Sequence, residues 1–304
     1  MVSKQGAEKG GKEVMSIEPR LDHLVEQARE GNEEALEAVV RAIQDRVYNL
    51  ALRMLWHPSD AEDATQEILL KVITRLSQFR QESAFMTWVY QIATNHLFTT
   101  RRRRAETTPL TFAFIGDVLE AGEAQSSQAH PVLESQDGVE QELLVKELQL
   151  RCTLGMLLCL DREHRLAYIL SEVFEVSSAQ GASILTISET AYRKRVSRAR
   201  ARLRRYMEPN CRLVGEAQEC HCVRHLDQGS SAEQRRLATL LATHPLGVSA
   251  LQPDAGLLAQ TRELGQLERV AAIFRSHPSF AAPDRFVLAI KRLLASDTFR
   301  IFEV

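Results

Sequence analysis

Residues 191–205 set Arg193, Lys194, Arg195, Arg198, Arg200 and Arg202 around one narrow apolar stripe, Val196, Ala199 and Leu203, spaced by three and four. That spacing is helical, and a helix with a single apolar stripe docks one face and leaves its cations to solvent or phosphate. The residues before it tighten the constraint. The stretch 177–185 reads as a short helix opened by a capping box of Ser177 and Gln180. Thr186-Ile187-Ser188 then makes a turn, with Thr186 and Glu189 expected as a second box for the cationic helix. Helix, tight turn and basic helix predict a helix-turn-helix, whose second member lies in the major groove of DNA. A solvated cationic face on an ordinary surface helix is the plainer alternative.

The remaining segments are also helical in pattern. Along 33–55, Leu36, Val39, Val40, Ile43, Val47, Leu50 and Met54 recur at three and four, predicting a long helix that ends at His57-Pro58. Ser59, with Glu62 three residues on, is the expected cap of a second helix buried through Ile68, Leu69, Val72, Ile73 and Leu76. A third stripe of Phe85, Trp88, Val89, Ile92 and Leu97 runs into the basic cluster Arg101 to Arg104, and Trp88 is expected in the core because large aromatics contribute heavily to burial. These three helices make an expected first domain over 21–105, after a loose tail over 1–20.

Residues 106–138 hold Pro109, Pro131, several glycines and serines and many carboxylates, and read as an acidic linker. Helical spacing resumes with Leu143, Leu144, Leu148, Cys152, Met156 and Cys159, and Asp161 is the expected cap of a helix carrying Leu166, Ile169, Leu170 and Val173. A second helical domain is therefore expected over 139–207. Over 208–304 three more helical patterns, near 232–243, 255–275 and 284–295, are punctuated by Pro245, Pro253, Pro278 and Pro283. Strand-like alternation is missing throughout, so the expected fold class is all-α.

Composition narrows the function classes. The 304 residues carry a net charge of −2, so the chain is no general polyanion binder and its basic residues matter because they are concentrated. No apolar run approaches the ~20 residues needed to cross a bilayer, and the first sixteen residues lack the apolar core of a secretory signal. A cytoplasmic protein without a membrane partner is expected. Five cysteines, an odd number, argue for reduced thiols or a metal over a disulfide framework. Cys211, Cys220, Cys222 and His225 carry ligand types that suit tetrahedral zinc. Cys-Xaa-Cys bites tightly, however, and the spacing is not that of a standard finger. Zinc or another thiophilic metal, a redox-responsive thiol cluster and incidental cysteines all remain open readings. There is no nucleotide loop, no Ser/His/Asp arrangement with identifiable roles and no carboxylate pair placed for acid–base work, so no enzyme and no required cofactor are expected.

Over about 36–203 the chain resembles an extracytoplasmic-function RNA polymerase sigma factor of the sigma-70 family. Asp60-Ala61-Glu62-Asp63-Ala64-Thr65-Gln66-Glu67 is similar to the family's region 2.2, which implies that Asp60, Asp63, Gln66 and Glu67 grip the β′ clamp helices of the polymerase core. Phe85 to Asn95 resembles regions 2.3 and 2.4, which help to open the duplex and read the −10 element. Opened bases are captured by stacking and by contacts to their edges. On this resemblance Gln91, Thr94 and Asn95 are candidates for DNA contact, and Phe79, Arg80 and Gln81 fall in the loop that pockets a flipped promoter base.

The second domain resembles region 4, which reads the −35 element and touches the β flap. Glu189, Thr190, Arg193 and Lys194 are the expected groove readers, with Arg198 and Arg202 on phosphate or the flap. One departure is Gln180-Gly181-Ala182, where the family usually shows Glu-Ile-Ala. A helical glycine costs about 1 kcal/mol relative to alanine, so a looser motif is expected there. The linker, by resemblance, threads the RNA exit path.

The chain beyond the second domain is similar to C-terminal extensions that modulate activity in a subset of the family. The expected function is promoter-directed transcription initiation with core polymerase and promoter DNA as partners. Control is expected through the extension acting intramolecularly or through an anti-sigma protein. A stand-alone helix-turn-helix regulator is the alternative, although it gives no reason for the acidic polymerase-facing helix or the strand-opening segment.

Overall fold

The computed structural model describes residues 11–99, 110–115, 150, 152–211, 214–215, 265–277, 279–283 and 285–294. Among the described residues there is no β-strand, and the all-α expectation holds.

Helix α1, Gly11–Arg29, occupies half of the stretch expected as a loose tail. Its Leu21, Val25 and Ala28 are buried, so among the described residues the first module has four helices and not three. Helix α2, Glu33–Leu55, opens on Asn32, whose side chain accepts the Ala35 N–H at 2.9 Å, with Glu33 and Glu34 in the first turn where carboxylates suit the helix dipole. It stops at Trp56, which takes a left-handed φ of 68° with its indole buried.

Helix α3, Pro58–Thr74, starts one residue before the expected cap. Proline at the first position needs no N–H there, so His57 becomes the N-cap residue, and Ser59 Oγ hydrogen-bonds His57 Nδ1 at 2.8 Å. The expected Ser59–Glu62 cap is corrected accordingly. A 3-10 turn, Leu76–Gln78, leads to helix α4, Phe85–Thr99.

The second module contains α5 over 152–158 and α6, Arg162–Tyr168, capped as expected by Asp161, which accepts the His164 N–H at 3.0 Å. A π turn, Ile169–Val173, follows. Helix α7, Ser178–Leu185, carries the expected Ser177–Gln180 capping box, and helix α8, Glu189–Asn210, is the long cationic helix. Its cap is Ser188, accepting the Ala191 N–H at 3.2 Å. Thr186 does not cap it, because it closes α7 with a left-handed φ of 53° while an N-cap residue needs extended backbone. Among the described residues, two further helices belong to the extension, α9, Gln266–Arg275, and α10, Arg285–Leu294; the helix expected near 232–243 lies outside the described residues.

One hydrophobic cluster runs through both modules, and a smaller one of Ala167, Ala182, Tyr192 and Val196 lies between α6 and the helix-turn-helix. Tyr90 of α4 stacks on Phe174 with centroids 5.6 Å apart. Arg165 of α6 is buried and donates to the carbonyls of Leu157, Leu160 and Leu158 and, across the boundary, to Met54 O at 2.6 Å. Within 110–115, Phe112 and Phe114 pack on the core, and the Phe112 ring lies 5.1 Å from that of Tyr206 on α8.

Candidate nucleic-acid and polymerase interfaces

Helix α8 spans roughly 33 Å at 1.5 Å per residue. Tyr192, Val196, Ala199, Leu203, Tyr206 and Met207 are its buried side. Glu189, Thr190, Arg193, Lys194 and Arg198 are all exposed, and Ser197 and Ala201 continue the same outer face. The cations are not equivalent. Arg193 lies 3.2 Å from Glu189 one turn back, Arg195 is held by Glu163 at 2.7 Å and Arg202 by Asp161 at 2.9 Å. Arg200 is drawn toward the core by the buried carboxylate of Glu172, which also accepts the Ser171 hydroxyl. The start of α6 therefore neutralises one flank of α8 and leaves the flank of Lys194 and Arg198 turned to solvent.

Asp161 is the strongest electrostatic feature of this edge. Burial alone raises its carboxyl, but hydrogen bonds from the His164 backbone and ring and from Arg202 outweigh that and hold it at about 2. Tyr192, beneath the helix, has its phenol pushed up by burial and by the nearby Glu172 carboxylate.

The loop before α4 is divided. Phe79 is buried, with its ring 5.2 Å from Phe85 and 5.3 Å from Trp88, a core contact in this arrangement. Arg80 and Gln81 are exposed. Gln81 takes a left-handed φ of 57° and its amide donates to Glu26 of α1 at 3.2 Å, which ties the loop to the first helix. Trp88 is half-buried in the aromatic group.

On α4 itself, Asn95 is exposed, whereas Thr94 is buried and donates to the Gln91 carbonyl at 3.2 Å. Gln91 is half-buried and donates to Ser183 O of α7 at 2.9 Å. The helix expected to read one promoter element thus touches α7, the first helix of the helix-turn-helix expected to read the other.

On α3 the apolar side, Ala61, Ala64, Ile68 and Leu69, is fully buried. Asp63, Gln66 and Glu67 are exposed and Asp60 is half-buried, so the four expected polymerase contacts form one acidic surface. Lys71 Nζ donates to His96 Nδ1 at 2.6 Å, which leaves the ring proton on Nε2, 3.7 Å from Glu67 Oε2. His96, buried on α4, thereby fixes one end of that surface.

Of the cysteine cluster, Cys211 is buried at the end of α8, while Cys220, Cys222 and His225 lie outside the described residues. Among the described residues no group of three or more His, Cys, Asp or Glu is placed to hold a metal. No described helix is long and apolar enough to cross a membrane.

Several structural residues escape a reading of spacing alone. Arg165, Glu172, Asp45 and Asn49 carry polar groups whose partners are far along the chain, and periodicity has no term for such pairs. Burial shifts two neighbouring groups: the Arg53 guanidinium is lowered to about 10 and the Tyr90 phenol is raised to about 12.

Two family models match, Sigma-70 region 2 over residues 39–107 and Sigma-70 region 4 over residues 150–203. The chain is 27% identical over 192 residues to the ECF RNA polymerase sigma factor SigW of Bacillus subtilis, covering 63% of this chain and 98% of that protein. It is 29% identical over 189 residues to the ECF RNA polymerase sigma-E factor of Haemophilus influenzae, covering 61% and 94%. It is 31% identical over 189 residues to a probable RNA polymerase sigma factor, RfaY, of Xanthomonas campestris, covering 62% of this chain and 44% of that protein, less than half of its length. With an acidic face on α3 in the module matching region 2 and a cationic helix-turn-helix in the module matching region 4, the chain belongs to the extracytoplasmic-function sigma factors of the sigma-70 family.

Proposed function

We infer that this chain joins core RNA polymerase through α3 and reads promoter DNA with α4 and α8. As a sigma factor it is a promoter-specific, non-enzymatic transcription initiation factor. In this reading Asp60, Asp63, Gln66 and Glu67 meet the β′ clamp helices, and Arg80, Gln81, Gln91 and Asn95 serve the −10 element. Thr190, Arg193 and Lys194 enter the major groove at the −35 element with Glu189 at the helix start, while Arg198 and Arg202 take phosphate or the β flap. The acidic surface of α3 carries the reading, because a regulator that binds DNA alone needs no such surface opposite its buried side. The extension adjusts access to these faces. Zinc or another thiophilic metal at Cys211, Cys220, Cys222 and His225 is a proposal resting on ligand chemistry alone.

The test is binding of the full chain to purified bacterial core polymerase. Replacing Asp60, Asp63 and Glu67 together by alanine is expected to lower affinity by at least about tenfold, an effect of ~1.4 kcal/mol, with helical content unchanged. Undiminished affinity overturns the assignment of α3, and a wild-type chain that binds promoter DNA but never the polymerase favours a stand-alone regulator.

A further inference from the structure

We propose that residues 266–288 are an intramolecular brace that holds the two DNA-reading modules closed, and that promoter reading requires its release. The proposal rests on the preceding reading of α4 and α8 as readers of separate elements. Those elements lie about 25 base pairs apart, roughly 85 Å of duplex at 3.4 Å per pair. The structure instead brings the two reading modules into contact: Gln91 donates to Ser183 O at 2.9 Å, and Tyr90 stacks on Phe174. A folded chain of this size has a radius of gyration of only about 19 Å. The closed arrangement and simultaneous occupation of both elements are mutually exclusive.

The extension grips both sides of that contact. On the second module, Phe274 is fully buried with its ring edge-on to Tyr168 at 5.3 Å, and His277 Nε2 lies 2.8 Å from Thr153 Oγ1. Nine residues later the same segment is seated on the first module. There Phe286 is buried beside Tyr48, and Arg285 forms an ion pair with Glu62, one turn from Gln66 on the acidic surface of α3.

Between these anchors the contact is polar and specific. Asn49, buried in the middle of α2, donates its amide to Phe280 O at 2.7 Å and accepts the Phe280 N–H at 3.0 Å. Asp45, one turn earlier, accepts the Ala282 N–H at 2.8 Å. A buried amide that reads the main chain of a distant segment in both directions requires that segment to lie in one register, which a merely apolar docking does not. An element bonded to both modules stabilises the state in which they touch, and the open state becomes the minor one.

The test compares the full wild-type chain with two full-length variants, Phe274→Asp/Phe286→Asp and the milder Asp45→Ala. Amide hydrogen exchange and affinity for bacterial core polymerase are measured for each. In the double variant, exchange across 85–99 and 178–185 is expected to rise about tenfold, as a minor open state of roughly 0.1–10% becomes populated, with 33–74 as protected as before. Asp45→Ala is expected to move the same segments in the same direction by a smaller factor, and it decides the matter if the double variant unfolds. Release of 266–275 without faster exchange in α4 and α7 overturns the brace. Faster exchange there, with no binding of core polymerase by any of the three proteins, upholds the brace and overturns the initiation reading.

Discussion

Tyr192 packs its ring across Gly181, so closely that a methyl group on that glycine would overlap the aromatic carbons. The glycine expected to loosen the helix-turn-helix is therefore what lets α7 and α8 approach. Tyr192 fills the space that a larger residue on α7 would occupy, and its hydroxyl donates to Ala167 O at 3.4 Å.

Gly181→Ala is expected to destabilise the second module by about 1–3 kcal/mol, because overpacking outweighs the helix-propensity gain of about 1 kcal/mol. Urea unfolding measures it. Adding Tyr192→Leu makes room for the methyl and should recover part of the loss; a neutral or stabilising Gly181→Ala alone would mean that the ring shifts freely.

Arg165→Met removes the donor that serves four buried carbonyls, three in the second module and one at Met54 in the first. Hydrogen bonds to a charged donor contribute about 1.5–3 kcal/mol each and are not additive, so a loss of at least about 3 kcal/mol is expected in the same unfolding measurement. A change within experimental error would show that water replaces the guanidinium.

Asp161 supplies a pH-dependent contribution. Its carboxyl is held at about 2, below the ordinary 3.8, so its stabilisation is present above pH 3.8 and is lost as the pH falls toward 2. The group is half exposed, and solvent screening limits the effect to less than about 1 kcal/mol. Asp161→Asn should accordingly lower stability slightly at neutral pH and converge with wild type near pH 2. The same substitution frees Arg202 and should raise nonspecific duplex affinity at low salt.

Arg193→Ala and Lys194→Ala separate base reading from phosphate contact. A lost base contact should cost about 1–3 kcal/mol and relax specificity at one position. A lost phosphate contact should weaken all duplexes alike and reduce the salt slope by about one. Affinity measured across promoter variants and salt concentrations distinguishes them, and no change in either quantity would remove these residues from the DNA-facing side.

Apart from α1, which occupies part of the expected tail, the helices from α2 to α8 were legible because local residues determine them. The α2 stripe from Leu36 to Met54, the Ser177–Gln180 box and the buried stripe of α8 follow from spacing and from the hydrogen-bonding needs of helix ends, and the cationic helix-turn-helix and the acidic face of α3 follow with them. Caps were less secure where two residues compete. Pro58 moved the start of α3 ahead of Ser59, and the left-handed turn at Thr186 passed the cap of α8 to Ser188.

Tertiary structure alone decided which faces are covered. Phe79 and Thr94 look like loop and helix-surface residues in one dimension, yet packing between helices buries both. Asn49 and Asp45 bond Phe280 and Ala282, more than two hundred positions away, and the hydrophobic cluster that joins the two modules likewise depends on residues distant in sequence. Helical periodicity reports what a segment can bury within a few turns of itself; which surface meets it is set by the closure of the whole chain.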